Sequence, residues 1–92
     1  MKFNICIIGC GKIAEHHIKF LKYRKDINKI VLVDSDINQV KKFSQKHKIK
    51  YYDTSIQGAS KKFSIDVAHI CTPPNHHYKL AKYLIVRKIN RD

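Results

Sequence analysis

The chain has 92 residues, room for one small domain; a domain of this size buries only about two-thirds of the surface its unfolded chain exposes. Nineteen Lys and Arg against seven Asp and Glu give a formal charge of +12, but the lysines recur at 12, 19, 22, 25, 41, 42, 46, 48, 61, 62, 79, 82 and 88. That spread reads as solvated helix faces, without the aromatic-basic interleaving of a nucleic-acid surface, and no apolar run reaches the roughly 18 residues of a membrane span.

Phe3-Asn4-Ile5-Cys6-Ile7-Ile8 is an apolar strand pattern that runs straight into Gly9-Cys10-Gly11-Lys12-Ile13-Ala14. G-x-G-x-x-A between a buried strand and a helix is the arrangement that cradles a dinucleotide pyrophosphate. Gly9 lets the chain turn out of the strand, Gly11 lets the backbone approach the phosphates, and Ala14 is small enough for the helix to pack on the strand. The N–H groups of that first turn and the positive end of the helix dipole favour an anion. In the helix, Ile13, Ala14, His17, Ile18 and Leu21 fall on one face, with Lys19, Lys22 and Lys25 turned away.

Asp26 and Asn28 mark the turn into a second strand, Ile30-Val31-Leu32-Val33, which ends in Asp34. An acidic residue roughly twenty positions past the glycines is placed to meet the adenosine ribose. Its charge favours NAD over NADP, while Ser35 could accept a phosphate and weakens the preference. The alternative is a turn built from Asp34, Ser35 and Asp36. Asp36 can cap a helix whose inward stripe is Ile37, Val40, Phe43 and the ring of His47. Lys50-Tyr51-Tyr52 follows as a short strand, and Ile56, Ala59 and Phe63 give a turn or two of helix weakened by Gly58.

Ile65 to Cys71 is nearly all apolar, as a central strand buried on both faces requires. Thr72-Pro73-Pro74 stops it, and Asn75 opens a last helix with His77, Leu80, Ala81, Leu84 and Ile85 inward. The alternation predicts an α/β fold: a partial doubly wound parallel sheet of strand order 3-2-1-4, with helices on both faces and right-handed crossovers. Cys6, Cys10 and Cys71 lack C-x-x-C spacing and read as reduced thiols. With no signal peptide pattern, a cytoplasmic location is expected. Cys10, at a helix amino terminus, is either a thiol of lowered pKa or a simple loop residue. His16-His17 and His76-His77 diverge by about 100° on a helix, and neither pair has ligand-spaced partners, so no metal is expected.

Taken together, Gly9-Cys10-Gly11-Lys12-Ile13-Ala14 with Glu15-His16-His17, Val33-Asp34, and Asp66-Val67-Ala68-His69-Ile70-Cys71-Thr72-Pro73-Pro74-Asn75-His76-His77 resemble the Gfo/Idh/MocA family of NAD(P)-dependent oxidoreductases. The resemblance covers the whole chain. It implies a Rossmann NAD(P)-binding domain over residues 1–92, incomplete at its carboxyl end. The implied cofactor-binding set is Gly9, Gly11, Lys12, Ile13, Asp34, Ser35, Thr72, Pro73, Asn75 and His77, the last four beside the nicotinamide. The family's fifth strand, closing in Glu-Lys-Pro, should begin at Ile89-Asn90-Arg91-Asp92. Its catalytic lysine, acid/base histidine and substrate domain would lie beyond, leaving the edge of the fourth strand exposed. No catalytic residue is therefore assigned, and the 92 residues alone are expected to be inactive. The implied parent reaction is hydride transfer between NAD(P) and a secondary alcohol of a sugar, cyclitol or nucleotide-sugar, with a sugar-like substrate only in a full-length relative. A dinucleotide-binding module without chemistry is the alternative.

Overall fold

The computed structural model describes residues 2–72 and 90–91. Five parallel strands form one sheet: β1 (Phe3–Ile8), β2 (Ile27–Val33), β3 (Tyr51–Asp53), β4 (Val67–Ile70) and β5 (Asn90–Arg91), in the order β3-β2-β1-β4-β5. Three helices connect the first four: α1 (Lys12–Leu21), α2 (Ile37–His47) and α3 (Ile56–Lys62). The order 3-2-1-4 predicted from the sequence is present. The two-residue β5 pairs with Val67 and Ala68, so this part of the β4 edge is covered rather than exposed.

Strand alternation sends side chains to two cores. Ile5, Ile7 and Leu32 pack with Ala14, Ile18 and Leu21 of α1 and Val40 and Phe43 of α2 on one face. Cys6, Ile8, Val31 and Val33 pack with Ile56 and Ala59 of α3 on the other. A sheet covered on both sides must be apolar on both, which is why β1 and β2 read as nearly unbroken hydrophobic runs.

Two residues expected in the helical stripes are outside them. Ile13 is 59% exposed and Ile37 is 41% exposed. The buried stripe of α1 is Ala14, Ile18 and Leu21, and Ile13 sits about 100° away from Ala14 around the axis. Ile37 is the first residue after its cap, and the stripe of α2 starts at Val40. His17 is half-buried with its ring 5.0 Å from that of His69 on β4, and the His47 ring lies 4.4 Å from Phe43 as the periodicity predicts.

The strand ends also shift. β3 runs one residue later than predicted, and β4 is shorter than Ile65 to Cys71. Before β4, Asp66 donates its N–H to the Asn4 carbonyl at 2.9 Å, and its carboxylate accepts the Asn4 N–H at 2.8 Å. The helix predicted from Asn75 lies outside the described residues. No helix among the described residues is long and apolar enough to cross a membrane.

Candidate functional site

Register brings the site together. Ile8 pairs with Val33 on one side and Ile70 on the other, so the residues next along each strand leave the sheet side by side. Gly9, Asp34 and the Cys71–Thr72 pair thus meet at the carboxyl edge, where an open parallel sheet takes its ligands. The Gly9 N–H donates to the Val33 carbonyl at 2.7 Å, and the Cys71 N–H donates to the Ile8 carbonyl at 2.7 Å.

The two loop glycines meet different demands. Gly9 has φ +96, and a Cβ there would stand 3.0 Å from the backbone C and O of Cys71 and from Thr72 Cγ2. Both the conformation and the closeness of the neighbouring strand require glycine. Gly11 has φ −116, extended backbone open to any residue, and a Cβ there would meet nothing within 4 Å. The protein's own packing places no demand on Gly11.

Helix termini show a second contrast. Asp36 caps α2, its carboxylate accepting from the N–H groups of Asn38 at 2.9 Å and Gln39 at 3.3 Å. Ser55 caps α3, its Oγ accepting from the Gly58 N–H at 3.0 Å. The residue at the cap of α1 is Gly11, with no side chain to accept anything. Of the three helices described, α1 alone keeps its first-turn donors free of a side-chain cap. A cleft of roughly 270 Å³ beside them is lined by Cys10, Gly11, Lys12, Glu15, Gln39, Lys42, Phe43 and Lys46.

Asp34 is half-buried, and each of its carboxylate oxygens holds one backbone N–H. Oδ2 accepts from Cys10 and Oδ1 from Asp36, both at 2.9 Å. The turn from Asp34 to Asp36 suggested by the sequence is therefore present, and it coexists with a tie to the glycine loop. Gln39 adds another, its side-chain Nε2 donating to the Cys10 carbonyl. Sequence reasoning missed Gln39: nothing in helical periodicity marks an exposed polar residue as reaching a loop so distant in the chain.

Of the remaining residues singled out from the sequence, Lys12 and Ile13 form the exposed first turn of α1, and Ser35 is exposed beside Asp34. Thr72 is half-buried against the glycine loop through its Cγ2. Pro73, Asn75 and His77 lie outside the described residues. Cys10 is only 2% exposed, and burial first, then the Asp34 carboxylate and Cys71, push its thiol up to about 12. The helix terminus does not activate it, so the loop-residue reading of Cys10 stands. Glu15, on the cleft wall, forms an ion pair with Lys46, and its carboxylate lies 3.5 Å from His47 Nε2. Lys46 beside it, then His47, hold the Glu15 carboxyl below the usual carboxylate range.

Comparison with known proteins agrees with this architecture. The sequence matches the model of the GFO_IDH_MocA oxidoreductase family, NAD-binding Rossmann fold, over residues 3–90. No curated protein matches it. Among solved structures it is similar to a myo-inositol 2-dehydrogenase from Lactobacillus plantarum, with a TM-score of 0.84 and 20% identity over 99% of this chain and 27% of that one. It is also similar to an oxidoreductase from Agrobacterium radiobacter in complex with NAD+, L-tartaric acid and magnesium, with a TM-score of 0.88 and 20% identity over 99% and 27%. A third is the WlbA dehydrogenase from Bordetella pertussis in complex with NADH and UDP-GlcNAcA, with a TM-score of 0.86 and 17% identity over 99% and 28%. The chain thus spans little more than a quarter of the length of these structures. At such identities the structural likeness shows the shared fold, and the family match supplies the assignment: the chain belongs to the Gfo/Idh/MocA oxidoreductases, as their NAD-binding Rossmann domain.

Proposed function

We propose that the carboxyl edge of β1 and β2 holds NAD(H), with the pyrophosphate at Gly11 and the first turn of α1 and the adenosine ribose at Asp34. The observation that carries this reading is the α1 terminus: an uncapped helix start behind a glycine that neither conformation nor packing demands. The N–H groups of Lys12 and Ile13 and the partial positive charge of the helix end suit a phosphate. Gly9 shapes the turn, and Thr72 closes the far side against it. In this reading Ser35 flanks the ribose, and the family resemblance assigns Pro73, Asn75 and His77 to the nicotinamide end of the cofactor.

The carboxylate of Asp34 accepts one N–H on each oxygen, and each oxygen carries a second lone pair. Those remaining pairs suit the two ribose hydroxyls of NAD. A phosphate in place of one hydroxyl would meet like charge. At about 4 Å and an effective dielectric near 20, that repulsion is on the order of 4 kcal/mol per unit charge before screening.

When bound, the cofactor supplies the hydride chemistry; the residues described here bind and orient it. For the whole protein we propose hydride transfer between NAD and a secondary alcohol of a sugar, cyclitol or nucleotide-sugar. The resemblance carries this substrate class, and the solved inositol dehydrogenase and the complex with UDP-GlcNAcA support it.

Fluorescence titration with NADH and NADPH tests the site. NADH should bind at least about tenfold more tightly, a difference of roughly 1.4 kcal/mol. Asp34→Ala should weaken NADH and narrow the gap between the two. Because Asp34 also anchors the Cys10 N–H, the ratio of the two affinities is the diagnostic quantity. Equal affinities in the unmutated chain would remove Asp34 from the ribose.

A further inference from the structure

The cleft beside the α1 terminus is lined by Lys12, Lys42 and Lys46 and, among the described residues, by a single carboxylate, that of Glu15. Glu15 belongs to the first turn of α1, and its N–H donates to the Gly11 carbonyl at 3.1 Å. Side chains on a helix lean toward its amino end, so an unheld Glu15 carboxylate would lie toward the uncapped N–H groups of Lys12, Ile13 and Ala14. An acidic group in a first turn is ordinarily favourable, because it answers the positive end of the helix dipole. Where that end is to receive a pyrophosphate, the same charge competes with the ligand and repels it.

The structure holds the carboxylate elsewhere. Lys46 forms an ion pair with Glu15 Oε1, and His47 Nε2, buried and without a hydrogen-bond partner, stands 3.5 Å from the same oxygen. Both residues are in the last turn of α2. The glycine loop meets α2 near its other end, where Gln39 donates to the Cys10 carbonyl. Lys46 follows Gln39 by about two turns, roughly 10 Å along the helix. The carboxylate is thus drawn along the seam between α1 and α2, away from the loop. Its charge is met there, and Lys46 first, then His47, lowers its pKa.

We propose that Lys46 is a positioning residue for the cofactor: by holding Glu15 against α2, it keeps the α1 terminus open to the pyrophosphate. The inference rests on the dinucleotide reading of the glycine loop. In it, Lys46 acts on binding through Glu15, so its loss matters only while the Glu15 carboxylate is present.

NADH titration of variants tests this, with thermal unfolding scoring the fold of each one separately. Lys46→Gln should weaken NADH about two- to fivefold at low salt, the range of an exposed charge pair. The difference should shrink as salt rises to about 0.5 M. Lys46→Arg, which keeps the charge, should bind like the parent. So should Lys61→Gln, which removes the same charge from an exposed position on α3. Adding Glu15→Gln to Lys46→Gln should restore the parent's affinity, although the ion pair is still missing. A contact that merely docks α1 on α2 would leave the double variant as weak as the single one. That outcome, or Lys46→Gln binding like the parent, would overturn the proposal. Gly11→Val separates the two ideas. If it binds NADH like the parent, the dinucleotide reading falls and this inference with it; if it binds weakly while the double variant stays weak, only the role of Lys46 falls.

Discussion

Substituting the two loop glycines separately should divide stability from binding. At Gly9 an alanine must adopt φ +96, and a left-handed backbone costs an L-residue about 1–2 kcal/mol. Its Cβ would also press to 3.0 Å from the Cys71 backbone and Thr72 Cγ2, overpacking that typically adds about 1–3 kcal/mol. The sum is about 2–5 kcal/mol. A domain of this size loses about 4–8 °C of Tm per kcal/mol, so Gly9→Ala should lower Tm by at least about 8 °C. At Gly11 the backbone is extended and a Cβ meets nothing. There alanine gains a little by restricting the unfolded chain and loses a little as a poorer cap, so stability should stay within about 1 kcal/mol. Gly11→Val should likewise fold, yet its branched side chain would occupy the space proposed for the pyrophosphate and weaken NADH by more than about tenfold. Thermal unfolding by circular dichroism and NADH titration of the three variants provide the readouts. Gly9→Ala with an unchanged Tm would refute the packing argument, and Gly11→Val binding like the parent would refute the phosphate role.

Gly58 of α3 offers a coupling test, since a Cβ there would lie 2.7 Å from Asp53 Oδ1. That carboxylate is held by the Thr54 N–H at 2.7 Å and by Lys62 at 2.9 Å. Gly58→Ala should therefore miss the roughly 1 kcal/mol that alanine normally gains in a helix. In an Asp53→Ala background the gain should return; urea unfolding that shows additive effects would contradict this. The same carboxylate sets an acid dependence, because Lys62 first, then the Thr54 and Ser55 N–H groups, lower the Asp53 pKa in the folded chain. A lowered folded value contributes stability above the unfolded value near 3.9, lost as pH falls through the folded one. Asp53→Asn should flatten the decline in stability below about pH 4, and parallel declines in parent and variant would argue against the pairing. Cys6 and Cys10, both buried, should resist a thiol reagent at pH 8, since burial raises both pKa values and a thiol near 12 is ionised only to about one part in ten thousand. Rapid labelling of Cys10 in the native chain, read by peptide mass, would show that the loop opens.

Local chemistry made much of this domain legible. The apolar runs of β1 and β2, the glycines between strand and helix, and the cap at Asp36 each act over a few neighbouring residues, so their spacing along the chain carries the information. Strand order 3-2-1-4 was legible too, because right-handed crossovers leave few ways to lay alternating strands and helices into one sheet. The tertiary structure alone decided matters that depend on residues distant in sequence. Periodicity placed Ile13 and Ile37 inward, but where each buried stripe begins depends on how α1 and α2 lie on the sheet. The tie from Gln39 to the Cys10 carbonyl and the acceptance of the Cys10 N–H by Asp34 join segments that meet only in space. The two glycines show the division most directly. G-x-G-x-x-A assigns the turn to Gly9 and the approach to phosphate to Gly11, but the motif does not say what packs against either one. At Gly9 the Cys71 backbone, just beyond β4, passes 3.0 Å from where its Cβ would stand, whereas the space beside Gly11 is open.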